Sequence, residues 1–387
     1  MSIRSLDFMT PFDFHLRTRF VFGPDRIDEL GSLAAELGAK RALVVSDPGI
    51  VAAGHAERGQ VSLAKSGIEV DLFDGAKENP TTVEVEAGLA VAREFQPDLL
   101  VGLGGGSSMD CAKGINFLYS CGGRMHDYWG EGKATGPMLP SIAVPTTAGT
   151  GSEAQSFALI SDPTTHVKMA CGDKRAAFRV AILDPKLTLT QPPRVTALTG
   201  IDAISHAVET YVTTRRNDSS IRFSSMSWSI LDKRFPRVLE KPDDLEARGD
   251  VQLAAFFAGL AIENSMLGAT HALANPLTAT FGIAHGEAIG LMLPHVVRFN
   301  GQDAKCNAWY RYLVEYLEED GEVSAHLADY LAELVAMAGL AGRISECGVP
   351  REVLPKLAAD AARQWTGTFN PRPVDEASLL KLYELAY

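Results

Sequence analysis

Residues 98–110 read DLLVGLGGGSSMD, and residues 111–120 continue as CAKGINFLYS. An apolar run ends in three glycines and two serines and passes straight into a segment with helical spacing. Glycine lets the backbone turn sharply and bring its N–H groups against a phosphate. The helix that follows points its positive N-terminal end at the same place. Two readings stand at this point. One is a pyrophosphate cradle for a dinucleotide; the other is a tight strand-to-helix turn such as many α/β folds contain. The glycines do not form GxGxxG, and they lie near residue 104 rather than in the first strand–helix unit. Ser107-x-x-Asp110 has capping-box spacing, with Asp where Glu or Gln is usual.

Similar runs lie on both sides of this stretch. Residues 41–46 (RALVVS), 68–73 (IEVDLF), 98–103, 141–145 (SIAVP) and 179–183 (RVAIL) are short, rich in Val, Ile and Leu, and bounded by Gly, Pro or Asp. They read as strands, several of them buried on both faces. Segments such as 81–95 (TTVEVEAGLAVAREF) have helical periodicity, and strand–helix alternation implies a parallel α/β sheet. Asp162-Pro163, between two β-prone runs in residues 155–172, reads as a hairpin. After Pro192-Pro193 the character changes. Residues 196–213, 219–235, 244–274, 286–299, 322–341 and 374–386 read as amphipathic helices, with no convincing strand. The expectation is an α/β dinucleotide-binding domain over 1–191 and a helical metal- and substrate-binding domain over 192–387, with a cleft between them.

Two further loops follow strands. Asp47, in VVSDPG, stands where a carboxylate can bind the adenosine ribose hydroxyls and repel a 2′-phosphate, which favours NAD over NADP. It also reads as an ordinary turn aspartate before Pro48. Residues 145–153, PTTAGTGSE, offer Thr146, Thr147 and Ser152 as donors to phosphate or nicotinamide amide, or form a plain polar loop. In the second half Asp202 and His206 lie four apart, on one face of a helix. His271 and His285 follow, 14 residues apart. One carboxylate and three imidazoles suit Fe²⁺ or Zn²⁺ and leave a coordination position for substrate. Each histidine alone reads more readily as a hydrogen-bonded core or surface residue, and the Asp202–His206 pair about equally either way.

The combination of the glycine loop, PTTAGTGSE, DAISHA and the two later histidines, the last followed by glycine, resembles the iron-containing (group III) alcohol dehydrogenase family. The resemblance runs from the FGPDRIDELG segment to the terminal FNPRPVDEASLLKLYELAY. It implies a dehydroquinate-synthase-like fold, a Rossmann-like N-terminal domain followed by an all-α one. It implies that Asp202, His206, His271 and His285 are metal ligands for Fe²⁺, with Zn²⁺ as the other candidate. Gly104, Gly105, Gly106, Ser107 and Asp110 match the pyrophosphate loop, and Thr146, Thr147 and Ser152 the second cofactor loop. Asp47 matches the NAD-selecting position, Asn79 an asparagine near the adenosine, and Lys168 a cofactor-contacting lysine. The family often reads HxxxHP; here Asn275 replaces the second histidine, and asparagine takes up no proton near neutral pH.

The activity so implied is hydride transfer between NAD(H) and a small alcohol or aldehyde. The substrate pocket is expected between Phe157, residues 256–267 and the C-terminal helices. Glycerol dehydrogenase and maleylacetate reductase are the same-fold alternatives. A non-catalytic nucleotide-binding regulator is the alternative of another class, which the full ligand set argues against. Composition narrows the partners. The 387 residues carry 36 Lys+Arg and 48 Asp+Glu, a net charge of −12. An acidic chain without a basic cluster is a poor nucleic-acid or anionic-membrane binder. No stretch approaches the roughly 20 apolar residues that span a bilayer, and the N-terminus lacks a signal-peptide h-region. Five scattered cysteines suit a reducing cytoplasm rather than a disulfide framework. The expected partner is a small molecule, and a homodimer is left open.

Overall fold

The computed structural model describes residues 12–165, 167–314 and 323–387. By their contacts, these residues fall into two compact units. One comprises Leu16–Pro192 with Lys241–Gly259; the other includes Pro193–Glu240 and Leu260–Tyr387.

In the first unit the strands are β1 (Arg19–Phe22), β2 (Arg41–Val45), β3 (Glu69–Phe73), β4 (Leu99–Gly104), β5 (Gly130–Glu131), β6 (Ser141–Pro145), β7 (Phe157–Ser161), β8 (Lys168–Gly172) and β9 (Val180–Leu183). Six form a parallel sheet in the order β1-β9-β6-β4-β2-β3. Its central strands alternate between two cores. Leu43, Val45 and Leu100 face Val85, Ile115 and Phe117. Ala42, Val44, Val101 and Val144 face Leu30, Leu33 and Leu63. With both faces covered, the strands read as continuous apolar runs. The helices are α1 (Leu30–Glu36), α2 (Pro48–Ala52), α3 (His55–Lys65), α4 (Thr82–Phe95) and α5 (Gly106–Cys121). The chain runs from β2 outward to β3, returns across to β4, and then proceeds the other way through β6 and β9. The order therefore reverses between β2 and β4, and a ligand crevice is expected outside the carboxyl ends of those two strands.

All five expected strands are present. β7 and β8 form the expected hairpin, with Asp162 Oδ1 accepting the N–H groups of Thr164 and Thr165. The reading missed β1, whose RFVF sequence follows a run of mixed charge and which occupies the sheet edge beside β9.

The remaining helices are α6 (Pro193–Val212), α7 (Asp218–Glu240), α8 (Leu245–Glu263), α9 (Ala269–Phe281), α10 (His285–Gly301), α11 (Ala304–Tyr310), α12 (Val323–Met337), α13 (Leu354–Ala362) and α14 (Glu376–Ala386). α6 begins on Pro193, whose fixed φ and missing N–H suit the first helical position. α6 packs against α7 and α10, and α10 packs against α9 and α12. One expected helix, 244–274, is two helices: Asn264–Gly268 interrupts it, and Gly268 is the N-cap of α9. Residue 322, the start of the 322–341 reading, lies outside the described residues.

The segment Lys241–Gly259 groups with the sheet unit, although the sequence reading assigned it to the helical half. Its contacts give the reason. Gln252 donates to the Pro145 carbonyl at 3.2 Å, and Phe256 packs on Phe20 with ring centroids 4.8 Å apart. A Cβ on Gly259 would lie 2.5 Å from the Gly151 carbonyl oxygen. Among the described residues no helix is long and apolar enough to cross a membrane.

Candidate metal centre and nucleotide loops

The glycine loop leaves β4 at the point where the strand order reverses. Gly104 has φ +148°, and a Cβ there would lie 2.5 Å from Ser108 Oγ and 3.2 Å from Asp47 Oδ2. A Cβ on Gly106 would meet Thr150 at 2.7 Å, and the Thr146 N–H donates to the Gly104 carbonyl at 2.9 Å. The loops after β4 and β6 thus lie against each other, with room only for glycine. Thr147 borders Gly105. Thr146 Oγ1 is buried and makes no hydrogen bond. The side-chain-free backbone of this loop and the unpartnered Thr146 hydroxyl fit a phosphate-bearing ligand.

Asp47 follows β2 by two residues and caps α2: its Oδ1 accepts the Gly49 and Ile50 N–H groups, and its Oδ2 accepts the Ser108 hydroxyl at 3.0 Å. Asn79, at φ 51°, receives a 3.0 Å hydrogen bond from Lys168 Nζ, and its own N–H donates to Ser107 Oγ. Asn79, Ser107 and Lys168 therefore meet, from loop, helix and hairpin.

The expected capping box at Ser107 and Asp110 is absent. Gly105 is the N-cap of α5 and makes no side-chain cap bond. Asp110 is instead buried and accepts the Ser152 hydroxyl at 2.6 Å. Ser152 Oγ in turn receives Lys113 Nζ at 2.8 Å, and Lys113 also donates to the Ser152 and Phe157 carbonyls. The single hydroxyl proton of Ser152 is committed to Asp110, so Asp110 and Ser152 tie α5 to the second loop rather than pointing donors outward. Burial raises the Asp110 carboxyl against the pull of Lys113. Sequence reasoning missed Lys113, which lies one helical turn after Asp110 on the same face.

In the other unit, α6 presents Asp202 and His206 one turn apart, α9 presents His271 and α10 begins with His285. The donor atoms of Asp202, His271 and His285 lie within 4.8 Å of one another. Asp202 Oδ1 is 3.2 Å from His206 Nε2, 3.7 Å from His271 Nε2 and 3.8 Å from His285 Nε2. The Nε2 atoms of His206 and His271 are 3.2 Å apart. Donors bound at about 2.1 Å around a tetrahedral ion stand roughly 3.4 Å from one another. Asp202 Oδ1 is buried without a well-formed hydrogen bond, an expensive state unless a cation completes it. The residues therefore fit a divalent ion. Burial alone would raise the Asp202 carboxyl; the three imidazoles outweigh it and hold the carboxyl well below the usual carboxylate range.

Asn275 is half-buried one turn beyond His271, and its Nδ2 donates to Gln364 Oε1 at 3.1 Å. Glu209, which sequence reasoning also missed, sits two turns after Asp202 on α6 with Oε2 2.5 Å from His271 Nδ1. Burial would lower the His271 pKa, but the charges of Glu209 and Asp202 raise it to about 9. Asp202, His206 and Glu209 at spacing i, i+4, i+7 are the signal that would have found it.

A doubly covered parallel sheet with a glycine loop at its reversal point, together with a helical unit bearing a carboxylate–imidazole cluster, defines a class of nucleotide-using, metal-assisted proteins. Comparison with known proteins narrows this. The model of iron-containing alcohol dehydrogenases matches residues 17–185, and that of the family's C-terminal part matches residues 196–387. Alcohol dehydrogenase 4 of Schizosaccharomyces pombe is 35% identical over 92% of this chain and 85% of its own length. The NAD-dependent methanol dehydrogenase of Bacillus methanolicus is 32% identical over 93% of this chain and 96% of its own. The crystal structure of a 1,3-propanediol oxidoreductase superposes with a TM-score of 0.93 at 31% identity, covering 98% of this chain and all of its own. The chain belongs to the iron-containing alcohol dehydrogenase family and is an oxidoreductase of that family.

Proposed function

We propose that this enzyme interconverts a short primary alcohol and its aldehyde with NAD(H), using a divalent ion, Fe²⁺ foremost and Zn²⁺ as the alternative. The observation that carries the proposal is the buried Asp202 Oδ1, facing three imidazole Nε2 atoms at 3.2–3.8 Å without a well-formed hydrogen bond. When bound, the ion supplies Lewis acidity at the substrate oxygen and the nicotinamide supplies or accepts the hydride. Asp202, His206, His271 and His285 hold the ion. The backbone of Gly104, Gly105 and Gly106 receives the pyrophosphate, with Ser107 and Thr146 beside it and Thr147 along the loop. Asp47 accepts the ribose hydroxyls, while Asn79 and Lys168 border the nucleotide. Asp110 and Ser152 keep the two loops in register. Asn275 donates a hydrogen bond to Gln364 and relays no proton.

Short alcohols are favoured because relatives named for methanol and 1,3-propanediol match over nearly the whole chain, although others are named for long-chain alcohols and choline. Five free cysteines suit a reducing cytoplasm. β1 is an edge strand with Phe20 and Phe22 more than a third exposed, which supports pairing with a second copy along that edge. The test is NADH oxidation with propanal by chelator-stripped protein before and after anaerobic addition of Fe²⁺. Activity should vanish on stripping and return with the ion. Undiminished turnover by metal-free protein would defeat the proposal.

A further inference from the structure

Glu209 is buried on α6 and uses both carboxylate oxygens on α9. Oε1 accepts the Thr270 N–H at 2.8 Å, and Oε2 faces His271 Nδ1 at 2.5 Å. α9 has no cap of its own, since Gly268 at its N-cap has no side chain. A Cβ there would sit 3.0 Å from both Glu209 Oε1 and Asn370 Oδ1. Asn370 Oδ1 accepts the Ala269 N–H at 3.2 Å, and its Nδ2 donates to Asn300 Oδ1 on α10 at 2.7 Å. Glu209, Asn370 and Asn300 are all buried. They join α6, α9 and α10, the three helices that carry the four candidate ligands.

We propose that Glu209 is a positioning residue that sets the tautomer and aim of His271. This rests on the reading of Asp202, His206, His271 and His285 as metal ligands. A carboxylate only accepts, so Nδ1 must carry a proton; when an ion displaces the other ring proton, Nε2 is the nitrogen whose lone pair is released. Nε2 is the atom that faces Asp202 and His206. The ring is therefore already aimed at the cluster before an ion arrives. The bond to the Thr270 N–H pins the carboxylate, which cannot swing away without uncapping α9. His206 lacks this support: its Nδ1 is buried and makes no hydrogen bond. Glutamine at 209 could not reproduce the arrangement, because it has one acceptor oxygen for two N–H groups. With its oxygen on Thr270, its amide would donate to Nδ1 and drive the proton onto Nε2, where it blocks ligation. Reversed, its amide would meet the Thr270 N–H.

The test is Co²⁺ affinity by chelator competition for the parent, Glu209→Gln and Glu209→Ala. Both variants should bind Co²⁺ about 10–100-fold more weakly, with NADH affinity unchanged within about twofold. A folded Glu209→Gln protein that binds Co²⁺ within about twofold of the parent would overturn the proposal. No Co²⁺ binding by the parent would overturn the metal-site reading, and this proposal with it. A second measurement needs no variant. In the Zn²⁺-loaded parent, ¹⁵N-histidine spectra should show His271 protonated at Nδ1; coordination through Nδ1 would overturn the assignment.

Discussion

Replacing Asp47 with Ser should relax the choice between NADH and NADPH. A 2′-phosphate carries roughly two negative charges near pH 7 and would sit beside the Asp47 carboxylate. At about 4 Å, each unit pair of like charges costs ~1 kcal/mol with the screening of bulk water and ~4 kcal/mol at an effective dielectric near 20. Asp47 is half-buried at the rim of the loop, so the lower end applies. That gives at least about 1.4 kcal/mol, a tenfold preference in kcat/KM for NADH. Asp47 also caps α2 through the Gly49 and Ile50 N–H groups. Ser retains a capping oxygen and removes the charge together with the acceptor for the Ser108 hydroxyl, so the variant separates the charge from the capping role. Steady-state kinetics with both cofactors should show the ratio falling toward unity in Asp47→Ser. In the parent, the ratio should narrow as salt rises, because exposed charges are screened within about 10 Å at 0.1 M. Equal use of both cofactors by the parent, or an unchanged ratio in the variant, would refute the reasoning.

Burial pushes the Glu153 carboxyl up to about 7 from 4.5. A carboxyl raised in the folded state contributes stability that is intact below pH 4.5 and is lost as pH rises toward 7, by roughly 3 kcal/mol in all. Urea unfolding at pH 5 and pH 8 should show a smaller pH difference for Glu153→Gln than for the parent; an equal difference would contradict this. Gly106→Ala should weaken NADH binding by about tenfold or more in a fluorescence titration, because its Cβ would lie 2.7 Å from Thr150, while metal content stays unchanged. Asn275→His should add or move a limb of the pH–rate profile near a histidine pKa of about 6.5, and an unaltered profile would show that no proton passes through that position.

The sheet was legible because its strands are buried on both faces, so RALVV, LLVGLG and SIAVP stand out as apolar runs. β1 was not, since as an edge strand it mixes charge and aromatics and gains its identity only from β9. The break between α8 and α9 was hidden because NSMLG carries no strong stop signal; α9 restarts after Gly268, and its first N–H groups, those of Ala269 and Thr270, are accepted by Asn370 and Glu209 from distant segments. The spacing of Asp202 and His206 is local and readable. The approach of His271 and His285 depends on how α9 and α10 pack against α6, which spacing does not encode and only the family resemblance supplied. Ser107 and Asp110 show the converse. Their sequence spacing matches a capping box, but Asn79 and Ser152, 28 and 42 residues away, compete for the same side chains.

The account stands most directly on whether four side chains hold one ion. Metal content by plasma mass spectrometry, after anaerobic Fe²⁺ loading and desalting, should give one equivalent per chain for the parent and for His295→Ala, whose histidine lies outside the cluster. His271→Ala and His285→Ala should each retain less than about a tenth, since these ligands bind well only as a complete set, while both still bind NADH within a few-fold of the parent. Full occupancy in either of these two variants, or metal loss in His295→Ala, would contradict the assignment.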